Sequence, residues 1–158
     1  MMNQRKVMTP YSILFNFPLI SAIVAFFVAQ SMKILTVLYK NKIFDPKQLI
    51  GCGGMPSSHS ATVTALAMAI GLQEGFGGSA FATALILAII VMYDATGVRF
   101  QAGQQAVVLN QIVVQLPAEH PLSYRIPLRE VLGHTMPQVV AGGLLGILVA
   151  ILGHVIAM

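Results

Sequence analysis

Charge is what this chain has least of. Lys and Arg number 9 and Asp and Glu 5 among 158 residues. That is 9% charged, against about 25% in soluble globules. With 56% of the residues hydrophobic, such a surface cannot be wetted all round, and the expected solvent is lipid. Tryptophan is absent, so the usual interfacial anchors fall to Tyr11, Tyr39, Tyr93 and Tyr124 or to Lys and Arg. The single cysteine, Cys52, excludes an internal disulfide and a Cys-based zinc site, and a packing role is expected for it. A net charge of +4, small and scattered, fits contact with anionic headgroups and not with nucleic acid. The first apolar run has no small-residue cleavage site behind it and is followed by Gln30, Lys33 and Lys40, so it is expected to stay as a membrane helix. The length suits one domain.

What is present is long apolar runs. Four segments approach the roughly 20 residues needed to cross a bilayer: about 17–39, 60–73, 79–98 and 137–157. Lipid offers no partner to backbone N–H and C=O groups, and no strand alternation appears, so the expected fold is an all-α, polytopic membrane helical bundle of about four transmembrane helices. Pro137 suits the first turn of the last helix. Gly142 and Gly146 form a small-xxx-small spacing, which serves close packing inside the bundle or the seam of a homo-oligomer. The 9 methionines read as packing filler.

Two polar stretches, 41–55 and 100–135, interrupt the helices and are expected as loops on one side. The second holds an apolar patch, 106–116, which either lies in the interface or re-enters the bundle. Lys40, Lys42, Lys47, Arg99, Arg125 and Arg129 fall on this side, and the positive-inside rule then makes it cytoplasmic. A multi-pass protein of the bacterial plasma membrane is expected.

The polar residues gather around Gly53-Gly54-Met55-Pro56-Ser57-Ser58-His59. Glycines free the backbone for a tight turn, and serines cap a helix start. A helix start with free N–H groups, hydroxyls and nearby cations is a phosphate cradle; the plainer reading leaves Ser57 and Ser58 as caps and His59 as an interfacial histidine. Lys33 and Lys40 are seven residues apart, two turns on nearly one helix face. Lys33 lies inside the apolar run, where a charge is costly unless it meets a cavity or an anion. Asp94 is the only acid within an apolar segment, with Arg99 or a lysine as its expected partner. At five residues' spacing Asp94 and Arg99 share no face of a regular helix, but Gly97 between them can break it. His134 opens the fourth helix one turn before Gln138, whose amide could orient an imidazole. His120 and His154 read as incidental. Together these groups are suited to holding a phosphate while two histidines divide the work of nucleophile and acid. No ligand-like spacing points to a metal, and no cofactor is called for.

These residues resemble the type 2 phosphatidic acid phosphatase superfamily, and more closely its divergent branch of small membrane proteins. The superfamily's motifs are Lys-x6-Arg-Pro, Pro-Ser-Gly-His and Ser-Arg-x5-His-x3-Asp. Lys33 matches the first lysine, and Lys40 and Asn41 stand in for Arg-Pro. Pro56, Ser57 and His59 match the second motif, with Ser58 replacing Gly. His134 matches the third-motif histidine, and Gln138 replaces the Asp. Leu128 stands where the third-motif Arg is expected; Arg99 is its spatial substitute, with Arg129 the rival, and 100–133 becomes an insertion that splits the motif. The resemblance implies that His134 attacks phosphorus, His59 protonates the leaving alkoxide, and Lys33, Lys40, Ser57, Ser58 and Arg99 hold the phosphate oxygens. It also implies that Asp94 is the carboxylate left to act on His134, and that the substrate is a lipid phosphate or diphosphate. The alternative is a catalytically degenerate protein that binds or moves a phosphorylated lipid.

Overall fold

The computed structural model describes residues 10–41, 54–124 and 126–157; at 10, 11, 12, 37, 40 and 41 it describes the backbone alone. A short 3₁₀ turn, Pro10–Phe15, leads into five helices: α1 (Phe17–Asn41), α2 (Ser58–Glu74), α3 (Ser79–Thr96), α4 (Val98–Val114) and α5 (Met136–Ala157). Strands are absent among the described residues. Three stretches are long and apolar enough to cross a membrane: Phe17–Thr36, Ser79–Val114 through α3 and α4, and Met136–Ala157.

The core is built from alanine. Ala25 and Ala29 of α1, Ala61, Ala65 and Ala69 of α2 and Ala150 of α5 are all fully buried and form one cluster. The large apolar residues point the other way: Phe27, Leu35, Ile86, Ile90, Leu144 and Leu152 are each more than half exposed. In water that would be an inverted protein. In lipid it is the expected arrangement, because the bilayer gives bulky side chains no reason to hide and helix association rests on close approach of small residues. α2 is the central helix, packed on α1, α3 and α5. Its seventeen residues are rich in Ser, Thr and Ala, which allows close neighbours on several sides. Gly142 and Gly146 face it: a Cβ on either would lie 2.2 Å from a backbone oxygen of α2's start, that of Ser57 or of Ala61. This spacing therefore packs α5 on α2 within the chain.

One expected boundary moves. The stretch 100–135 is not a loop throughout, because Val98–Val114 is helical. Its glutamines made it read as polar, yet Gln is a good helix former, and Gly103 is the only glycine before the helix ends. α3 stops at Thr96, and α4 starts at Val98 after a break at Gly97 (φ −98°, ψ −94°). At 1.5 Å per residue the 18 residues of α3 span about 27 Å, close to the hydrocarbon thickness of about 30 Å, so α3 alone suffices for a crossing. Among the described residues α4 packs on no helix of the bundle except α3. The chain then returns along α4 as irregular backbone over 126–135.

Candidate active site

Three start or end points of helices converge. Ser57 is the N-cap of α2, in extended conformation (φ −68°, ψ 116°), and its Oγ accepts from Ser60 N at 3.3 Å and from Ser60 Oγ at 3.0 Å. Its own N–H donates to Gln138 O at 3.0 Å, which ties the start of α2 to the start of α5. Gly54 stands just before this turn at φ +94°, a left-handed conformation that favours glycine. Thr36 Oγ1 donates to Met55 O at 2.9 Å, fixing the same turn to α1.

Lys33 is 1% exposed, and its Nζ donates to Ser58 Oγ at 3.1 Å. It continues the buried stripe Ala22, Ala25, Ala29 of α1, one helical face at spacings of three and four. A lysine set in an alanine stripe carries its charge to the α2 start. The phosphate contact expected of Lys40, together with Cys52, Gly53 and most of the 41–55 loop, lies outside the described residues. The Ser57 hydroxyl is taken up by the cap, so of the two serines it is Ser58 that meets the lysine.

His134 precedes α5 and is 2% exposed. Its N–H donates to Ala95 O at 3.0 Å, using a carbonyl that the break at Gly97 leaves free of α3's own ladder. The His134 and His59 rings are 6.1 Å apart, centre to centre, nearly perpendicular at 81°. Both line a cavity of about 150 Å³ with Asp94, Arg99, Ile90, Val91, Ala95 and Leu132. A single water needs about 10–15 Å³ of such space, so the cavity has room for a tetrahedral anion. His134 Nε2 is buried with no hydrogen-bond partner among the described residues, which is uncommon for a polar atom. Burial, followed by the positive fields of Lys33, His59 and Arg99, lowers the His134 pKa from 6.5 to about 4. It is neutral at physiological pH, as a nitrogen nucleophile must be.

The break at Gly97 also decides the Asp94–Arg99 pair. Arg99 Nε donates to Asp94 Oδ2 at 2.5 Å, a contact an unbroken helix would not allow at a spacing of five. Arg99 thus lines the cavity with both histidines, whereas Arg129 does not. No hydrogen bond joins Asp94 to His134 among the described residues. Gln138 does not orient His134 either. Its Oε1 accepts from Thr135 N at 3.0 Å, the back-reaching half of a capping box in Thr135-Met136-Pro137-Gln138. Ile90, Val91, Ala95 and Leu132 also line the cavity; none carries a polar side chain that could have drawn attention to it in the sequence.

A bundle with an alanine core, an outward-facing apolar surface and helices long and apolar enough to cross a bilayer belongs to the class of polytopic helical membrane proteins, here with two histidines, Asp94 and Arg99 around one cavity at its helix ends. Among known proteins, the sequence profile described as the divergent PAP2 family matches residues 14–149. The chain belongs to that family. It is 40% identical over 149 residues to the uncharacterized membrane protein YuiD of Bacillus subtilis strain 168, covering 88% of this chain and 94% of that one. No solved structure matches it.

Proposed function

We propose that this protein is a membrane-embedded phosphatase that hydrolyses a lipid phosphate or diphosphate through a phosphohistidine. The observation that carries this reading is the buried, unpartnered Nε2 of a neutral His134 beside His59 and Arg99 in one cavity. The Nε2 lone pair attacks phosphorus and the P–N bond forms as the P–O bond to the lipid breaks. His59 gives its proton to the leaving oxygen. Water then attacks the phosphohistidine, His59 takes up its proton, and inorganic phosphate leaves. Arg99 and Lys33 oppose the charge on the non-bridging oxygens, and Asp94 holds Arg99 in place.

The cavity walls support a lipid carrier. Ile90 and Val91 continue the Asp94 face of α3, and Ile86 and Leu87 extend it one turn deeper, exposed to lipid. A substrate can leave its chains against this face while its phosphate meets the histidines. The loop side is proposed to face the cytoplasm of a bacterial plasma membrane.

The test is phosphate release from several lipid phosphates by the purified protein in detergent, with His59→Ala and His134→Ala as controls. Release by the wild type that both variants lose is expected; equal background from all three defeats the proposal. The capping role of Gln138 favours a second reading, a protein that binds or moves a phosphorylated lipid. Such a protein would bind vanadate through His134 and Arg99 yet release no phosphate.

A further inference from the structure

His134 sits on irregular backbone, and backbone without a ladder of its own must find partners elsewhere. It finds them on α4. Leu128 N–H donates to Asn110 Oδ1 at 2.9 Å, and Asn110 Nδ2 donates back to Leu128 O at 2.8 Å. This closes a two-bond ring of the kind two strands would make. The second hydrogen of the same amide goes to Glu130 Oε1 at 2.9 Å. Two turns back on α4, Gly103 has no Cβ where one would lie 2.4 Å from Glu130 O. At Gly133 a Cβ would come within 2.3 Å of Phe100 N. The last attachment is His134 N–H to Ala95 O. Residues 128, 130, 133 and 134 thus meet 110, 103, 100 and 95 in antiparallel order, one tooth after another down α4 onto α3.

We propose that Asn110 is a positioning residue for His134, and that α4 is the splint that sets where the imidazole stands over the cavity. The claim rests on the reading of His134 as the nucleophile. Among the described residues the imidazole's buried Nε2 has no partner, and the Gln138 amide oxygen is spent on the α5 cap, so the ring's place comes from its backbone. That backbone is anchored by Asn110 at the far end of the zipper and by close glycine contacts along it.

The experiment uses the full chain in detergent, with Asn110→Ala, which loses all three hydrogen bonds. Asn110→Asp keeps the acceptor for Leu128 N–H but sets a carboxylate oxygen against Leu128 O and Glu130 Oε1. Three readouts are taken: kcat and KM on the lipid phosphate that the wild type turns over, hydrogen exchange over 128–134, and carbethoxylation rates of His134 and His59 by diethyl pyrocarbonate. For Asn110→Ala, kcat should fall about 100-fold with KM within about twofold, as displacement of a reacting group predicts. Exchange over 128–134 and His134 carbethoxylation should each rise at least about tenfold, as loss of one net hydrogen bond implies, while His59 stays unchanged. Asn110→Asp should be at least as damaging as Asn110→Ala on every readout, whereas Glu130→Ala, which loses one of the three bonds, should fall between wild type and Asn110→Ala and stands in if that variant does not fold. Unchanged His134 reactivity overturns the proposal, and so does equal acceleration at both histidines, which would mean a general loosening. A wild type that releases no phosphate defeats the phosphatase reading instead, and the exchange and labelling readouts still decide the positioning claim.

Discussion

Two adjacent glycines on α5 should respond in opposite ways to the same substitution. In Gly142→Ala the added Cβ would lie 2.2 Å from Ser57 O, 3.0 Å from Ser57 C and 3.1 Å from Ser57 Cβ. All three atoms belong to a fully buried N-cap residue that cannot rotate away. Restoring an ordinary contact of at least 3.4 Å requires the start of α5 to retreat by about 1 Å. That retreat stretches the Ser57 N to Gln138 O bond, now 3.0 Å, which joins the helix start beside His59 to the one beside His134. Overpacking of this kind costs about 1–3 kcal/mol, and a 1 Å error between reacting groups can cost about 100-fold in rate. In Gly143→Ala the Cβ would meet Met92 Sδ and Thr64 Cγ2, each at 3.7 Å, an ordinary contact. Replacing a helical glycine there should be neutral or stabilise by up to about 1 kcal/mol. Thermal unfolding in one detergent, followed by loss of the monodisperse size-exclusion peak, reads the stability; phosphate release reads the alignment. If Gly143→Ala is as damaging as Gly142→Ala, or if Gly142→Ala matches the wild type in both assays, the close approach of α5 to the α2 start is not as described.

The pH dependence has a definite sign. His134 is held neutral in the fold with a pKa of about 4, against 6.5 unfolded, so stability is full above about pH 6.5 and falls by up to about 3 kcal/mol as pH drops to 4. Acid unfolding of His134→Gln should lack this slope; an identical slope in both proteins refutes it. Gln138→Ala removes a cap, not a ligand of the imidazole. It should cost about 1 kcal/mol of stability while leaving carbethoxylation of His134 unchanged, and selective exposure of His134 would show that Gln138 does orient it. Asp94→Asn releases Arg99 from its carboxylate, so KM for a lipid phosphate should rise about tenfold with a smaller change in kcat. A loss as complete as that of His134→Ala would place Asp94 on the imidazole instead.

Much of this architecture follows from composition. Scarce charge and long apolar runs determined a helical membrane bundle, because lipid leaves backbone groups no other way to be satisfied. The capping serines likewise marked where α2 begins, and Pro137 where α5 does. That Lys33 must find a partner was legible for the same reason, since a buried cation in an apolar helix needs one. The sequence alone did not determine that α4 is a helix outside the bundle, since uncharged glutamine stretches read equally as loop and as helix. Nor did it determine the role of Gln138, whose cap and orienter roles require the same residue at the same place; only the position of its Oε1 against Thr135 N decides between them. The pairing of Asp94 with Arg99 depends on one backbone break at Gly97. The cavity exists only because three distant stretches of chain, around 59, 90–99 and 132–134, meet at the same height. Local sequence dictates which elements form and which residues are costly to bury. Distances between side chains on different helices depend on how closely the backbones approach, and here alanine and glycine contacts set that approach.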